Sequence, residues 1–127
     1  MVTTIDWFAP DGRKLSFQVL QYSGNWNPVS GVYMFCRREL NGSYTPLYIG
    51  QAASLKDRLP LHEQWNPAVH RGASAVLVVV IQSQADRDYF ERCLIQRFQP
   101  DLNTHHKEVP GILGSLADFD LSRNRPK

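Results

Sequence analysis

The dipeptide Asn41-Gly42 is the feature that most constrains how this chain can fold. Asn-Gly favours the tight turn of a β-hairpin, and here it separates two segments rich in strand-forming residues, 31–38 and 43–50. Segments on either side of such a turn pair as antiparallel strands. The sequence therefore predicts a hairpin with a two-residue turn.

The predicted turn also determines which side chains share a face of the hairpin. If Leu40 faces Ser43, the same register places Phe35 opposite Tyr48, with Tyr33 one diagonal step away on the same face. The opposite face then collects five apolar residues: Val32, Met34, Cys36, Leu47 and Ile49. A sheet with one packed face and one functional face would show this division. In the alternative interpretation, the two tyrosines merely fit a half-buried pleated surface.

Three further elements complete the predicted core. Segments 5–8 and 15–20 flank a turn at 9–12 and form an N-terminal hairpin. The apolar, valine-rich run 75–81 is typical of a central strand covered on both faces. Residues 84–98 carry apolar side chains at helical spacing and predict the longest helix.

A second helix is predicted over residues 54–65, with Ser54 as its cap. Pro60 should kink this helix or restart it as another one. Arg58 and His62 are four positions apart, so a continuous helix would project both from one side.

These elements predict a single domain of the α/β (α+β) class. A small, mainly antiparallel, three-stranded central sheet is flanked by helices, and the N-terminal hairpin is added to it. A chain of 127 residues has the usual length of one domain. The sequence shows neither a membrane-spanning run nor a secretion signal, so a cytoplasmic location without membrane association is expected.

Composition excludes some functions and favours none. The net charge of +2 is too small to indicate a nucleic-acid partner, although ten of the fourteen basic residues are arginines, which suit phosphate. Cys36 and Cys93 have no metal-site spacing, and packing is the favoured interpretation over a reactive thiol. A Gly-rich phosphate loop and a Gly-x-Ser-x-Gly motif are both absent from the sequence.

Five short motifs follow one another in a recognisable order. Gly-Val-Tyr occupies 31–33, Tyr-Ile-Gly occupies 48–50, and Leu-Lys-Asp-Arg-Leu occupies 55–59; a helical glutamate, Glu91, and Pro-Asp-Leu-Asn at 100–103 come later. This series resembles the GIY-YIG nuclease family. Either tripeptide alone is a weak signal, whereas the ordered set is a strong one.

The resemblance covers residues 31–103 and implies a metal-dependent endonuclease that hydrolyses phosphodiester bonds in DNA. Residues 1–30 then form an added hairpin, and residues 104–127 form a loosely held tail. Val32 replaces the family's isoleucine, the segment between the tyrosines is longer than usual, and Pro60 interrupts a helix. The sequence shows no separate DNA-binding module, so weak specificity or selectivity for branched or damaged DNA is expected, in repair, recombination or restriction.

The resemblance also implies a role for each polar residue of the motifs. Glu91 would hold Mg²⁺ or Mn²⁺, and Arg58 would bind the scissile phosphate. Tyr33 would position the attacking water or accept its proton, with Tyr48 and His62 as candidates for a proton relay. Three more residues, with structural or supporting roles, complete the predicted site: Gly31, Gly50 and Asn103.

Each of these roles has an ordinary alternative. Glu91 could pair with Arg87 one helical turn earlier, His62 could be a bystander, and Asn103 could be a turn residue after Pro100. For the whole chain, the alternatives are a non-catalytic nucleic-acid-binding module with the same fold, or a domain unrelated to nucleic acid.

Overall fold

A five-stranded antiparallel sheet forms the framework of the computed structural model, which describes residues 3–103. The elements in chain order are β1 (Thr4–Phe8), β2 (Lys14–Leu20), β3 (Gly31–Arg38), β4 (Tyr44–Ala52), α1 (Leu55–Arg58), α2 (Trp65–His70), β5 (Ala75–Val80) and α3 (Gln84–Phe98). The predicted α+β class is confirmed. The predicted tail, 104–127, lies outside the described residues, and the predicted limits of the nuclease-like core stay a prediction.

The order of the strands across the sheet is β1-β2-β5-β3-β4. The predicted three-stranded central sheet corresponds to β5-β3-β4, and the predicted N-terminal hairpin, β1-β2, extends it to five strands because β2 pairs directly with β5. The physical reason is that β5 is a central strand, whose backbone needs a partner on each side. β3 supplies one partner and β2 supplies the other.

The hairpin between β3 and β4 differs from the predicted two-residue turn. The Glu39 N–H donates to the Ser43 carbonyl at 2.8 Å, so the loop contains three residues, 40–42. Gly42 has φ +90° and closes this loop in the left-handed region. Next to the loop, each β3 residue consequently faces a β4 residue one position earlier than predicted.

A β-bulge restores the predicted register further along the hairpin. The pairing shifts by one residue between Phe35 and Cys36, so that Phe35 lies opposite Tyr48 as predicted. The bulge also moves Leu47 into the cluster that contains Tyr33, whereas the sequence predicts Leu47 on the opposite face. The predicted apolar stripe is wrong in that one residue.

Two apolar layers cover the sheet. The layer under α3 contains twelve buried residues, among them Val32, Ile49, Leu77, Phe90 and Leu94. The other layer lies under α1 and α2, and it contains Tyr33, Phe35, Leu47, Leu55 and Leu59. Both cysteines are free, and burial raises the pKa of the Cys36 thiol to about 12, which agrees with a packing role.

The predicted helix over residues 54–65 is divided into two short helices. Ser54 caps α1 as predicted, but the helix ends at Arg58, and Leu61 adopts a left-handed φ of 56°. Pro60 explains the break, because a proline removes a backbone donor and clashes with the preceding turn. His62 therefore lies in the connection between the helices, and the prediction that it shares a helix face with Arg58 is wrong.

None of the helices within residues 3–103 is long and apolar enough to cross a membrane.

Asn103 attaches the segment after α3 to β4. Its Nδ2 donates to the Ile49 carbonyl at 2.8 Å, and its Oδ1 accepts the Ile49 N–H at 2.8 Å. The side chain is 1 % exposed, and the neighbouring Leu102 N–H donates to the Leu47 carbonyl at 3.0 Å. The amide therefore satisfies both backbone groups of Ile49, as a neighbouring strand would.

Replacing Asn103 should destabilise the fold. Asn103→Ala leaves the N–H and C=O of Ile49 without their side-chain partners, which we expect to lower the free energy of unfolding by about 2 kcal/mol. Urea denaturation measures this change. Asn66→Ala, at an exposed position of α2, is the matched control and should unfold close to the parent. Equal stability of both variants would contradict this role of Asn103.

Candidate active site

The phenol of Tyr33 lies at the centre of the candidate site. β3 buries its side chain to 1 % exposure, and its hydroxyl oxygen lies 2.8 Å from His62 Nε2. The ring of Tyr48 is 6.3 Å from that of Tyr33, between centroids. The structure thus brings together both motif tyrosines and the histidine.

The two motif glycines make room for close contacts. A Cβ at Gly50 would lie 2.6 Å from the Tyr33 hydroxyl oxygen, so any larger residue would displace the phenol. A Cβ at Gly31 would collide with the backbone carbonyl of Val79 on the neighbouring strand. The missing side chain at Gly50 therefore makes room for the Tyr33 phenol. The missing side chain at Gly31 allows the close approach of β3 to β5.

Tyr22 fixes the connection that carries His62. Its hydroxyl donates to the Leu59 carbonyl at 2.6 Å and accepts the His62 N–H at 3.1 Å. The ring of Tyr22 stacks on Trp65 with centroids 4.3 Å apart. Sequence reasoning missed Tyr22, because it precedes the matched motifs and contacts them only in the folded chain.

The hydrogen bonds of His62 define which ring nitrogen carries the proton. The Gln64 N–H donates to Nδ1 at 3.0 Å, so Nδ1 is the unprotonated nitrogen of the neutral ring. The proton is then on Nε2, which donates to the Tyr33 oxygen. In this arrangement His62 can stabilise negative charge on Tyr33, and it cannot receive the phenol's proton at Nε2.

Arg58 is held by a residue that the sequence did not single out. Its Nη1 and Nη2 donate to the two carboxylate oxygens of Glu63 at 3.0 and 2.7 Å. The guanidinium holds the pKa of Glu63 down at about 2, mainly through these hydrogen bonds. The pair is partly exposed, so its fork stays accessible to an anion from solvent.

The charges around the two phenols act in opposite directions. Burial raises the pKa of both Tyr33 and Tyr48, and the negative charge of Glu91 raises both further. The cation of Arg58 lowers both. The charges of Glu91 and Arg58 thus both influence the same pair of hydroxyls.

Glu91 is half-buried on α3 without a cationic partner among residues 3–103. Desolvation raises its pKa, and a hydrogen bond from Gln51 Nε2 at 3.0 Å opposes that rise. The ordinary alternative, a pair with Arg87, does not form, because Arg87 donates instead to Gln51 and to two backbone carbonyls. A desolvated carboxylate without a cation fits a divalent ion.

The donor set suits an ion that keeps most of its water. Within the described part of the chain, no group of three histidine, cysteine or acidic side chains lies together. One protein carboxylate with water and phosphate oxygens is a common environment for Mg²⁺. Glu91 therefore fits the predicted metal ligand by its chemistry.

Asn103 does not line the site. Its contacts with Ile49 instead support the backbone of β4 between Tyr48 and Gly50. Of the residues that sequence reasoning singled out, Tyr33 and Tyr48 supply the two phenols, and three further side chains contact the phenols or influence their pKa: Arg58, His62 and Glu91. The two glycines, Gly31 and Gly50, leave room for close contacts, and Asn103 binds the backbone of β4.

The chain is similar to a GIY-YIG endonuclease domain. Three solved structures match it, all of the N-terminal GIY-YIG endonuclease domain of UvrC from Thermotoga maritima, bound to its catalytic divalent cation. They are point variants of an asparagine and of two tyrosines, with sequence identities of 25 %, 26 % and 25 % and TM-scores of 0.48, 0.46 and 0.46, respectively. Each match covers 59 % of this chain and 82 % of the other. No protein-family model and no curated protein matches the sequence.

The state of His62 predicts a pH dependence of stability. Burial, followed by the charge of Arg58, lowers the pKa of His62 from 6.5 to about 4. Between pH 6.5 and 4 the unfolded chain therefore binds a proton that the folded protein does not. The free energy of unfolding should fall as the pH falls through this window, by up to about 3 kcal/mol from this group.

Urea denaturation of the parent and of His62→Gln, at several pH values from 7 to 4, measures this contribution. Glutamine keeps a polar side chain and cannot titrate, so the difference between the two proteins isolates the histidine. We expect the parent to lose more stability than the variant toward pH 4. Parallel losses would show that His62 is protonated equally easily in both states.

Proposed function

We propose that this protein is a metal-dependent endonuclease of the GIY-YIG type, which hydrolyses phosphodiester bonds in DNA. One observation carries the proposal: two neighbouring phenols contact a neutral imidazole, and an accessible guanidinium and a desolvated carboxylate both influence the pKa of these phenols. Phosphodiester hydrolysis needs a positioned water, a proton acceptor and neutralisation of charge on phosphate. This set of groups can supply all three.

In this proposal Arg58 binds the scissile phosphate. Its two terminal nitrogens already hold a two-oxygen anion in a fork, which is the geometry that a phosphate would use. The phosphate would replace the carboxylate of Glu63, which is 64 % exposed and can turn into solvent. Arg58 then stabilises the negative charge that develops during attack.

Tyr33 is the proposed contact for the attacking water. As a phenolate it would accept the water's proton, and two features favour that charged form. His62 Nε2 donates to the phenol oxygen, and the cation of Arg58 lowers the pKa of the phenol. Burial opposes ionisation, so these two features offset part of a cost that the fold itself creates.

Glu91 is the proposed ligand of a divalent cation, Mg²⁺ or Mn²⁺. Such an ion, when bound, supplies positive charge to the phosphate and to the leaving oxygen. Glu91 would hold it by one carboxylate. Tyr48, whose pKa both Glu91 and Arg58 influence, is proposed to contact the same phosphate or its water.

The proposed substrate is DNA, and branched or damaged DNA is preferred over a fixed sequence. A cytoplasmic role in repair, recombination or restriction is part of the same proposal. Nicking of supercoiled plasmid and cutting of branched DNA, with and without Mg²⁺ or Mn²⁺, test the substrate class.

The first prediction that tests this proposal concerns Glu91. Glu91→Gln keeps the shape of the side chain and removes the charge that attracts the cation, so we expect metal-dependent cleavage to fall by at least about a hundredfold while DNA binding stays close to that of the parent. Asp101→Asn, at an exposed position beyond α3, is the control and should cleave normally. If the parent binds DNA and never cuts it, the domain is a non-catalytic binding module.

The second prediction concerns Glu63, which occupies the proposed phosphate position on Arg58. Glu63→Gln removes the competing charge, so the DNA concentration at half-maximal rate should fall by up to about fivefold, the equivalent of one exposed ion pair. Asp101→Asn also removes one negative charge but does not contact Arg58. If both variants lower that concentration equally, general electrostatics and not competition at Arg58 accounts for the effect.

A further inference from the structure

We infer that Gln51 is a positioning residue, which holds the Glu91 carboxylate in the orientation in which it takes the divalent cation. Gln51 follows the Tyr-Ile-Gly motif directly on β4, and its side chain links α3 to the motif strand. The inference rests on the proposed function of Glu91 and adds the residue that prepares that ligand.

The link begins at Arg87, which the fold holds rigidly. Arg87 is 5 % exposed, and its Nη1 donates to the carbonyls of Ile81 and Gln82 at 3.0 and 2.8 Å. Both carbonyls belong to the segment between β5 and α3. A buried guanidinium with two backbone partners has little freedom to move.

Arg87 defines which way the amide of Gln51 points. A guanidinium only donates hydrogen bonds, so the atom that faces Arg87 Nε at 3.3 Å must be the amide oxygen of Gln51. The amide nitrogen then points the other way, and it donates to Glu91 Oε1 at 3.0 Å and to Asp88 Oδ1 at 2.7 Å. Reversing the amide would place its N–H₂ group against the guanidinium and its oxygen against two carboxylates.

The amide nitrogen has two effects on Glu91. It holds Oε1, while Oε2 makes no hydrogen bond within residues 3–103 and stays open to a cation. It also lies between Glu91 and Asp88, whose like charges are one helical turn apart and repel each other. Gln51 thus keeps the carboxylate oriented.

Orientation matters more here than in a site with several acidic ligands. Where three carboxylates surround an ion, each limits the position of the others. Because residues 3–103 contain no cluster of three such side chains, the neighbours of the Glu91 carboxylate must limit its rotamers. The contacts through Gln51 and Arg87 are the ones that the structure provides for this purpose.

Mn²⁺ binding by isothermal titration calorimetry tests the inference without any turnover. Gln51→Met keeps the approximate length of the side chain and removes both hydrogen-bonding groups. We expect its dissociation constant for Mn²⁺ to rise by about tenfold or more. Gln96→Met, at an exposed position of α3, is the matched control and should bind Mn²⁺ as the parent does.

Cleavage assays separate positioning from general damage. In Gln51→Met the Mn²⁺ concentration at half-maximal rate should rise, whereas the rate at saturating Mn²⁺ should stay within about threefold of the parent. A merely structural role would lower both stability and maximal rate and leave Mn²⁺ affinity unchanged. Should Gln51→Met fail to fold by circular dichroism, Arg87→Lys carries the same test, since lysine cannot reach Gln51 and both carbonyls together.

The outcomes distinguish this inference from the proposed function. If Glu91→Gln abolishes Mn²⁺ binding and Gln51→Met binds like the parent, Gln51 is not a positioning residue and the metal role of Glu91 stands. If the parent binds Mn²⁺ no better than Glu91→Gln, the metal role of Glu91 itself is wrong. A selective loss of affinity in Gln51→Met supports both.

Discussion

The pairing of β3 with its two neighbours is the constraint on which the rest of the structure depends. β3 lies between β4 and β5, so its backbone groups are engaged on both sides and its register cannot slip. A shift by one residue would turn Tyr33 toward α3 and separate it from His62. Because the strand is fixed, the phenol of Tyr33 lies in the space left by the missing side chain of Gly50 and beside the ring of Tyr48.

Much of this arrangement could be predicted from local sequence. The pairing of Phe35 with Tyr48 is predicted correctly because two differences from the predicted hairpin cancel each other. The loop at Asn41-Gly42 is one residue longer than predicted, and the bulge at Phe35 compensates for it, so the important pair with Tyr48 is retained. Turn propensity describes only a few residues, whereas the bulge follows from packing of the whole sheet. The helix break at Pro60 has a similar origin: the sequence shows the proline but not the path that the chain takes after it.

The partners of the site residues could not be predicted in this way. Gln51 and Tyr22 act through contacts between separate elements, and Glu63 reaches Arg58, five positions earlier, through the break between α1 and α2. None of the three belongs to a motif. Gln51 is 36 positions from Arg87, and Tyr22 is 40 positions from His62. Local patterns therefore identified which groups could carry chemistry, and the three-dimensional structure identified what orients each of them.

The contact of Asn103 with Ile49 has a consequence for how copies of this protein behave in solution. β4 is the last strand of its sheet, and an outermost strand with free N–H and C=O groups invites pairing with a strand of another molecule. The asparagine amide occupies those groups at Ile49, midway along the strand. The middle of this sheet edge is thereby protected against pairing with the edge strand of another copy.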